Sequence, residues 1–291
     1  MILPLRSLSL LGCVFFGLAT GLAAEVRLAG SDLLGEHLEP VLEVEAKNRT
    51  WPLETSFTGS LSASEAFASG EVDLAILAMP EGIEASSKEA RAWPLAFETV
   101  AFLVHADNPI REVDLTQLGN MFGIGADTSR WGQLGATGNW ENRPLRLHAL
   151  RNSSSLALEI FRSRVLGSRD LSESITYWED AAALEHYVAT TPEAVALTAA
   201  NPQLAGPRAL SVAASVGSGA YAPTPTTILY GDYPLSLGYY LQISQSPSEE
   251  ALAVARFLLG DSVASTLGRS GYVPTPATER RQFVIELDVG G

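Results

Sequence analysis

The sequence predicts an α/β protein in which helices cover a largely parallel sheet. Three observations carry that expectation. From Glu25 onward, short apolar runs alternate with segments of helical period. Val72–Leu77 and Thr99–His105 are apolar almost throughout, as strands buried on both faces are. The joints after three expected strands are rich in serine and threonine, residues that cap helix starts. With 291 residues, 46% of them hydrophobic, the chain can build one large domain or two ordinary ones.

In order, Val26–Leu28 is expected as a short strand. A helix over Asp32–Ala46 follows, with Leu34, Leu38, Val41 and Leu42 on its inner face. Pro40 is expected to kink or interrupt it, because proline lacks the amide hydrogen a helix interior uses. Leu53–Phe57 reads as a second strand. Ser62–Gly70 reads as a short helix, with Ser62 as N-cap, Glu65 three residues on and Gly70 as its stop. Val72–Leu77 is a third strand, interrupted by Asp73. Thr99–His105 is another, ended by the turn signal Asp107-Asn108-Pro109. Helix Leu115–Phe122 comes next, then a Gly- and Trp-rich loop over Trp131–Arg143. Leu145–Leu150 is a strand that leads to a helix from Leu156. Beyond it lie a strand near Ile175–Trp178, a helix near Ala181–Thr190 and a strand near Ala194–Leu197. Tyr221–Thr227 reads as a connector, Leu235–Ile243 as a strand, and Ser248–Leu259 and Val263–Gly268 as helices. The tail from Arg280 carries no pattern that assigns it.

The first 24 residues read as a secretory signal peptide. Arg6 is its positive region, Leu8–Leu22 its apolar region, and Ala23-Ala24 offers small residues for cleavage before Glu25. Cleavage there removes Cys13, the one cysteine, and leaves neither disulfide nor thiol chemistry. Such a peptide implies export from the cytoplasm. A formal net charge of −14 argues against nucleic acid or an anionic membrane surface as partner. It does not exclude a small anion, because a distant acidic surface is screened within about 8 Å at physiological salt.

The strand ending at Leu150 runs into Arg151-Asn152-Ser153-Ser154-Ser155 before its helix. Free backbone amides, hydroxyls and the positive end of a helix then meet beside a guanidinium, which is the chemistry that receives an oxyanion. Gly30-Ser31-Asp32 and Phe57-Thr58-Gly59-Ser60-Leu61-Ser62 repeat the joint earlier in the chain. Three such joints point to a protein that binds a small anion. Asp73 sits in an apolar run, where a carboxylate needs a partner. His37, His105, His148 and His186 show no metal-ligand spacing, and Gly217-Ser218-Gly219 is not a nucleophile elbow. No enzyme activity, cofactor or metal is expected.

Taken in order, several motifs resemble the periplasmic substrate-binding proteins of phosphate ABC transporters. They are Gly30-Ser31-Asp32, Gly70-Glu71-Val72-Asp73, His105-Ala106-Asp107-Asn108-Pro109-Ile110, Trp131-Gly132-Gln133-Leu134, Arg151-Asn152-Ser153-Ser154-Ser155, Gly231-Asp232-Tyr233-Pro234 and Gly271-Tyr272-Val273-Pro274. The resemblance implies the type II periplasmic-binding-protein fold. Two α/β lobes would be joined by two crossing strands and would close on a ligand between them. Lobe one would comprise 25–105 with 236–291, and lobe two 106–235. The resemblance also implies a phosphate site at Ser31, Ser60, Ser62, Asp73, Arg151 and Ser155, with Asp73 accepting the ligand's own proton. Such an acceptor favours a protonated oxyanion over one without a proton, hence phosphate over sulfate.

The chain departs from the family pattern in three places. Leu156-Ala157 stands where Gly-Thr is usual, Leu33 replaces a threonine, and Leu61 replaces a hydroxyl residue. Each lost hydrogen bond to a charged ligand costs about 1.5–3 kcal/mol, so a weakened phosphate site is expected. The expected function is that of a monomeric receptor that delivers phosphate or a related small oxyanion to an inner-membrane ABC permease. The rival reading is an anion-sensing or scaffolding protein that keeps the fold without transport.

Overall fold

The computed structural model describes residues 25–79, 90–151, 155–199 and 206–289. The expected signal peptide with Cys13, and the Asn152-Ser153-Ser154 part of the third joint, lie outside the described residues. The chain opens with β1 (Val26–Gly30), α1 (Asp32–Arg49), β2 (Leu53–Ser56), α2 (Ser60–Ala68) and β3 (Leu74–Met79). It continues with β4 (Ala90–Val104), β5 (Glu112–Asp114), α3 (Leu115–Phe122), β6 (Arg146–Leu150), α4 (Ala157–Phe161), β7 (Thr176–Trp178), α5 (Ala181–Thr190) and β8 (Ala194–Ala199). Then come β9 (Arg208–Ala209), β10 (Ser211–Ala213), β11 (Ala220–Tyr221), α6 (Pro225–Leu229) and β12 (Ser236–Ser244). The chain closes with α7 (Glu249–Leu258), α8 (Asp261–Arg269), β13 (Val273–Pro274) and α9 (Ala277–Val289).

β4 organises the molecule. Its first part pairs antiparallel with β12, which in turn pairs with β3. Its last part, Val100–Val104, pairs antiparallel with β8, beyond which β6 and β7 follow in parallel. The strand therefore leaves one half of the molecule and enters the other at Glu98–Val100. β1 lies in parallel between β2 and β3, so these three strands end on one edge. Each half has its own core. Leu28, Leu34, Leu38, Tyr239, Leu241 and Leu267 fill the first. Phe102, Phe122 and Phe161 meet in the second with centroids 5.6–5.7 Å apart, beside a fully buried Trp131. Each such side chain contributes about 1.5–3 kcal/mol by leaving water.

Helix starts follow their caps. The Asp114 and Gln117 side chains bond reciprocally to open α3, and Asp180 and Ser248 accept amide hydrogens at the heads of α5 and α7. Four expectations are corrected. α1 passes through Pro40 unbroken, because Leu34, Leu38 and Leu42 bury on both sides of it and packing outweighs one missing hydrogen bond. α2 starts at Ser60, with Gly59 at φ 120° as its N-cap, a backbone that glycine alone adopts without strain. The expected connector contains α6, whose Thr224 cap and Pro225 are a helix start. The tail forms α9, anchored by a buried Arg280 that donates to Thr275 O, Leu259 O and Asp261 Oδ1. Such an anchor leaves no mark on hydrophobic periodicity.

Candidate functional site

The first two serine joints meet on the edge where β1, β2 and β3 end. Ser31 is 2% exposed. Its amide donates to Ile76 O at 2.9 Å, and its carbonyl accepts from the amides of Leu34 and Gly35. Its hydroxyl does not cap α1. Gly59 donates to Gly30 O at 3.1 Å, and Ser60 Oγ accepts from the Ala78 amide at 2.9 Å. Phe57 lies tight over the first joint: a Cβ on Gly35 would come within 2.5 Å of Phe57 Cβ. Ser31 and Ser60 thus share the carboxyl edge of a parallel sheet, where open α/β folds hold ligands. Ser62 lies inside α2 and is exposed; its hydroxyl donates back to Gly59 O at 3.0 Å and meets Thr58 Oγ1 at 3.0 Å.

Asp73 is not brought to this edge. It precedes β3 and is only partly buried. Its Oδ2 accepts from the Arg27 amide at 2.8 Å and lies 3.8 Å from Arg27 Nε. Arg27 and Ser31 are four residues apart along the chain, so Asp73 sits about 13 Å away at ~3.3 Å per residue. Its partner is the main chain at the opposite end of β1. At the Ser60 edge, β3 presents Ala78 instead.

The third joint lies in the other half. Arg151 directly follows β6 and is exposed, with its amide donating to Trp178 O at 2.7 Å. Its guanidinium carbon is 3.5 Å from the Tyr177 ring centroid. Ser155 Oγ accepts from the Ala157 amide at 3.1 Å. The Leu156 amide donates to Glu98 Oε1, the Ser155 side chain is also hydrogen-bonded to Glu98, and Tyr239 OH donates to Glu98 Oε2 at 3.4 Å. Glu98 is 3% exposed and sits on β4 where the strand changes halves. Burial pushes its pKa above the ordinary glutamate value; the bonds from Ser155, Leu156 and Tyr239 oppose that rise, and the Glu159 charge adds to it. The sequence reading missed Glu98. The signal was present, since one carboxylate stands within the apolar run from Leu95 to Val104.

A cavity of about 280 Å³ opens beside this carboxylate, lined among others by Glu98, Ser155, Glu185, Thr198, Arg269 and Tyr272. Tyr272 donates to Leu33 O at 3.1 Å and packs edge-on against Tyr239 with centroids 5.6 Å apart. It joins the first turn of α1 to the cavity. Arg269 is held by Ser265 Oγ at 2.6 Å and Thr266 Oγ1 at 3.2 Å. Burial raises the pKa of Glu185. Larger hollows of about 520 and 510 Å³ lie between α1 and the α7–α8 pair and beside Asp73, and one of about 490 Å³ has Thr58 and Ser62 of the second joint in its lining.

Similarity to known proteins runs along most of the chain. The PBP superfamily domain matches residues 19–262. The phosphate-binding protein PstS of Pseudomonas aeruginosa is 25% identical over 289 residues, covering 92% of this chain and 88% of that protein. Protein SphX of Synechococcus elongatus is 25% identical over 249 residues, covering 81% of this chain and 72% of that protein. The crystal structure of a possible phosphate binding protein from Planctomyces limnophilus has a TM-score of 0.68 at 15% identity, over 92% of this chain and 98% of that one. The architecture is the two-lobe type II periplasmic-binding-protein fold, as the sequence predicts.

Proposed function

The chain belongs to the family of the PBP superfamily domain, and on that premise we propose that it is a solute-binding protein for phosphate or a related small oxyanion. It acts in the periplasm after loss of its signal peptide, as a monomer, and delivers its ligand to an ABC-type permease. One observation carries this reading. Ser155, at the head of α4, and Tyr272, whose hydroxyl donates to Leu33 O in the first turn of α1, line one cavity from different halves. The curated relatives named above, one of them called a phosphate-binding protein, support the ligand class.

Residues 25–105 with 236–291 close against 106–235, turning where β4 changes sheets at Glu98–Val100. Ser31, Ser60 and Ser155 supply hydroxyls, the helix starts supply amides, and Arg151 swings from Tyr177 to meet the charge. Ser62 contributes once its bond to Gly59 O is released. Asp73 takes no part, because it is engaged with Arg27. Nothing is transformed; the ligand is released as it was bound.

Calorimetry on the mature protein, freed of ligand by partial unfolding and titrated with phosphate and then sulfate, tests the reading. Micromolar or tighter binding, lost in Arg151→Ala, supports it. Absence of heat with both phosphate and sulfate rejects it and favours the anion-sensing or scaffolding reading. The observation behind that second reading is that Leu156 already spends its amide on Glu98.

A further inference from the structure

His148 is a buried histidine outside the ligand cavity. It stands on β6 at 4% exposure, three residues before Arg151. Its Nδ1 accepts the indole hydrogen of Trp178 at 3.1 Å, and its Nε2 has no hydrogen-bond partner. Tyr187 on α5 packs edge-on against the imidazole, with centroids 4.7 Å apart, and lies 5.2 Å from the Trp178 ring. An indole nitrogen only donates, so this bond needs a lone pair on Nδ1 and places the imidazole's single proton on Nε2. A second proton would set two N–H groups against each other among aromatic rings. β7 leans on this bond. It is a three-residue strand at the end of its sheet, paired with β6. It supplies two contacts to Arg151: Trp178 O accepts the Arg151 amide at 2.7 Å, and the Tyr177 ring lies under the guanidinium.

We propose that neutral His148 positions Arg151 for the ligand by anchoring Trp178, and that protonation of the imidazole releases the anchor and weakens oxyanion binding. This rests on the reading of Arg151 as a ligand residue and adds the group that sets its place. Burial first, and the Arg146 charge second, hold the His148 pKa below the ordinary 6.5, so the neutral form prevails at neutral pH. The other titratable groups on the packed elements are Tyr177 and the following Glu179 at β7, and Glu185, His186 and Tyr187 on α5. On the other side of β6, Ala194–Ala199 of β8 carries none, and the preceding Glu193 is paired with Arg143. His148 and Arg151 stand about 10 Å apart along the strand, at ~3.3 Å per residue. By charge alone a positive imidazole there would attract an anion. Acid therefore weakens binding through the anchor and tightens it through charge, so the sign of the change identifies the cause.

Two-dimensional NMR of the ligand-free protein, titrated from pH 8 to 4, follows the Trp178 indole N–H and the Arg151 amide. Both resonances are expected to shift with the midpoint of the His148 ring protons, below pH 6.5. Both should hold still in His148→Asn, whose side-chain oxygen takes the acceptor position without titrating. Trp178→Phe removes the donor and keeps a ring; the His148 midpoint is expected to rise by about half to one unit. Calorimetry with inorganic phosphate, or with sulfate if phosphate gives no heat, then compares the wild type with His148→Asn at each pH. In the ratio of the two affinities the ligand's own protonation and the shared protein groups cancel. The wild-type share is expected to fall about fivefold as pH drops through the His148 midpoint. A ratio that stays within twofold, or rises, overturns the proposal. So does an Arg151 amide that ignores the His148 titration, or a His148 that does not titrate down to pH 4. If His148→Asn does not fold, Trp178→Phe decides, and an unraised midpoint overturns the proposal. Absence of heat with phosphate and sulfate alike rejects the receptor reading and the link to binding; the hold of His148 on Arg151 is then judged by their shared midpoint alone.

Discussion

The Arg151 guanidinium rests 3.5 Å from the centre of the Tyr177 ring, so the cation expected at the ligand is held against an aromatic face at the end of β6. An exposed cation–π contact of this kind is worth about 0.5–1 kcal/mol. A bond from the same guanidinium to an anion is worth about 1.5–3 kcal/mol, so the ligand wins the arginine.

Tyr177→Leu should therefore tighten phosphate binding by up to about fivefold, the equivalent of ~1 kcal/mol. Arg151→Ala should weaken it at least tenfold. Calorimetry reads both. Weaker binding in Tyr177→Leu would mean that the ring aims the arginine rather than restrains it.

Asp73→Ala should cost stability and leave ligand affinity alone. It removes the acceptor of the Arg27 amide, a loss of about 1 kcal/mol. The accompanying ion pair is more than one-third exposed on both sides and adds little. A urea midpoint measures the first effect. A phosphate affinity more than fivefold lower would return Asp73 to the site.

Gly35→Ala should destabilise the first lobe. In a free helix alanine would gain about 1 kcal/mol over glycine. Here its Cβ would meet Phe57 Cβ at 2.5 Å, and overpacking of that kind costs about 1–3 kcal/mol. The net expectation is a lower melting temperature; an unchanged or higher one would show that Phe57 yields freely.

Glu98 should also shape stability against pH. Its folded pKa lies above the ordinary 4.5, so the folded state holds this proton more firmly than the unfolded chain does. The contribution is full below about pH 4.5 and is lost as pH rises through the folded value. Denaturant titrations across that window should show a downward slope that Glu98→Gln lacks. Equal slopes in the two proteins would refute it.

What the sequence made legible was local. α3 and α5 match their expected bounds because cap and apolar stripe lie within a dozen residues of each other. That Ser31 and Ser60 stand at the heads of α1 and α2 was readable because strand-to-helix joints are written in consecutive letters. Which carboxylate lines the cavity was not readable, because two acids, Asp73 and Glu98, stand in apolar runs. Nothing local says which of them faces the cleft. Glu98's donor, Leu156, is 58 residues away and can be matched to it only in the folded chain. The long reach of β4 was hidden for a related reason: Ala90–Trp93 is not apolar enough to announce a strand until β12 pairs with it.

β4 also decides how the protein comes apart. It is hydrogen-bonded to β12 in one lobe and to β8 in the other, and the break between them falls within three residues, Glu98 to Val100. Neither sheet can shed this strand without uncovering the core of its neighbour. The two halves share this strand and should therefore melt together, in a single transition where two separate domains would give two.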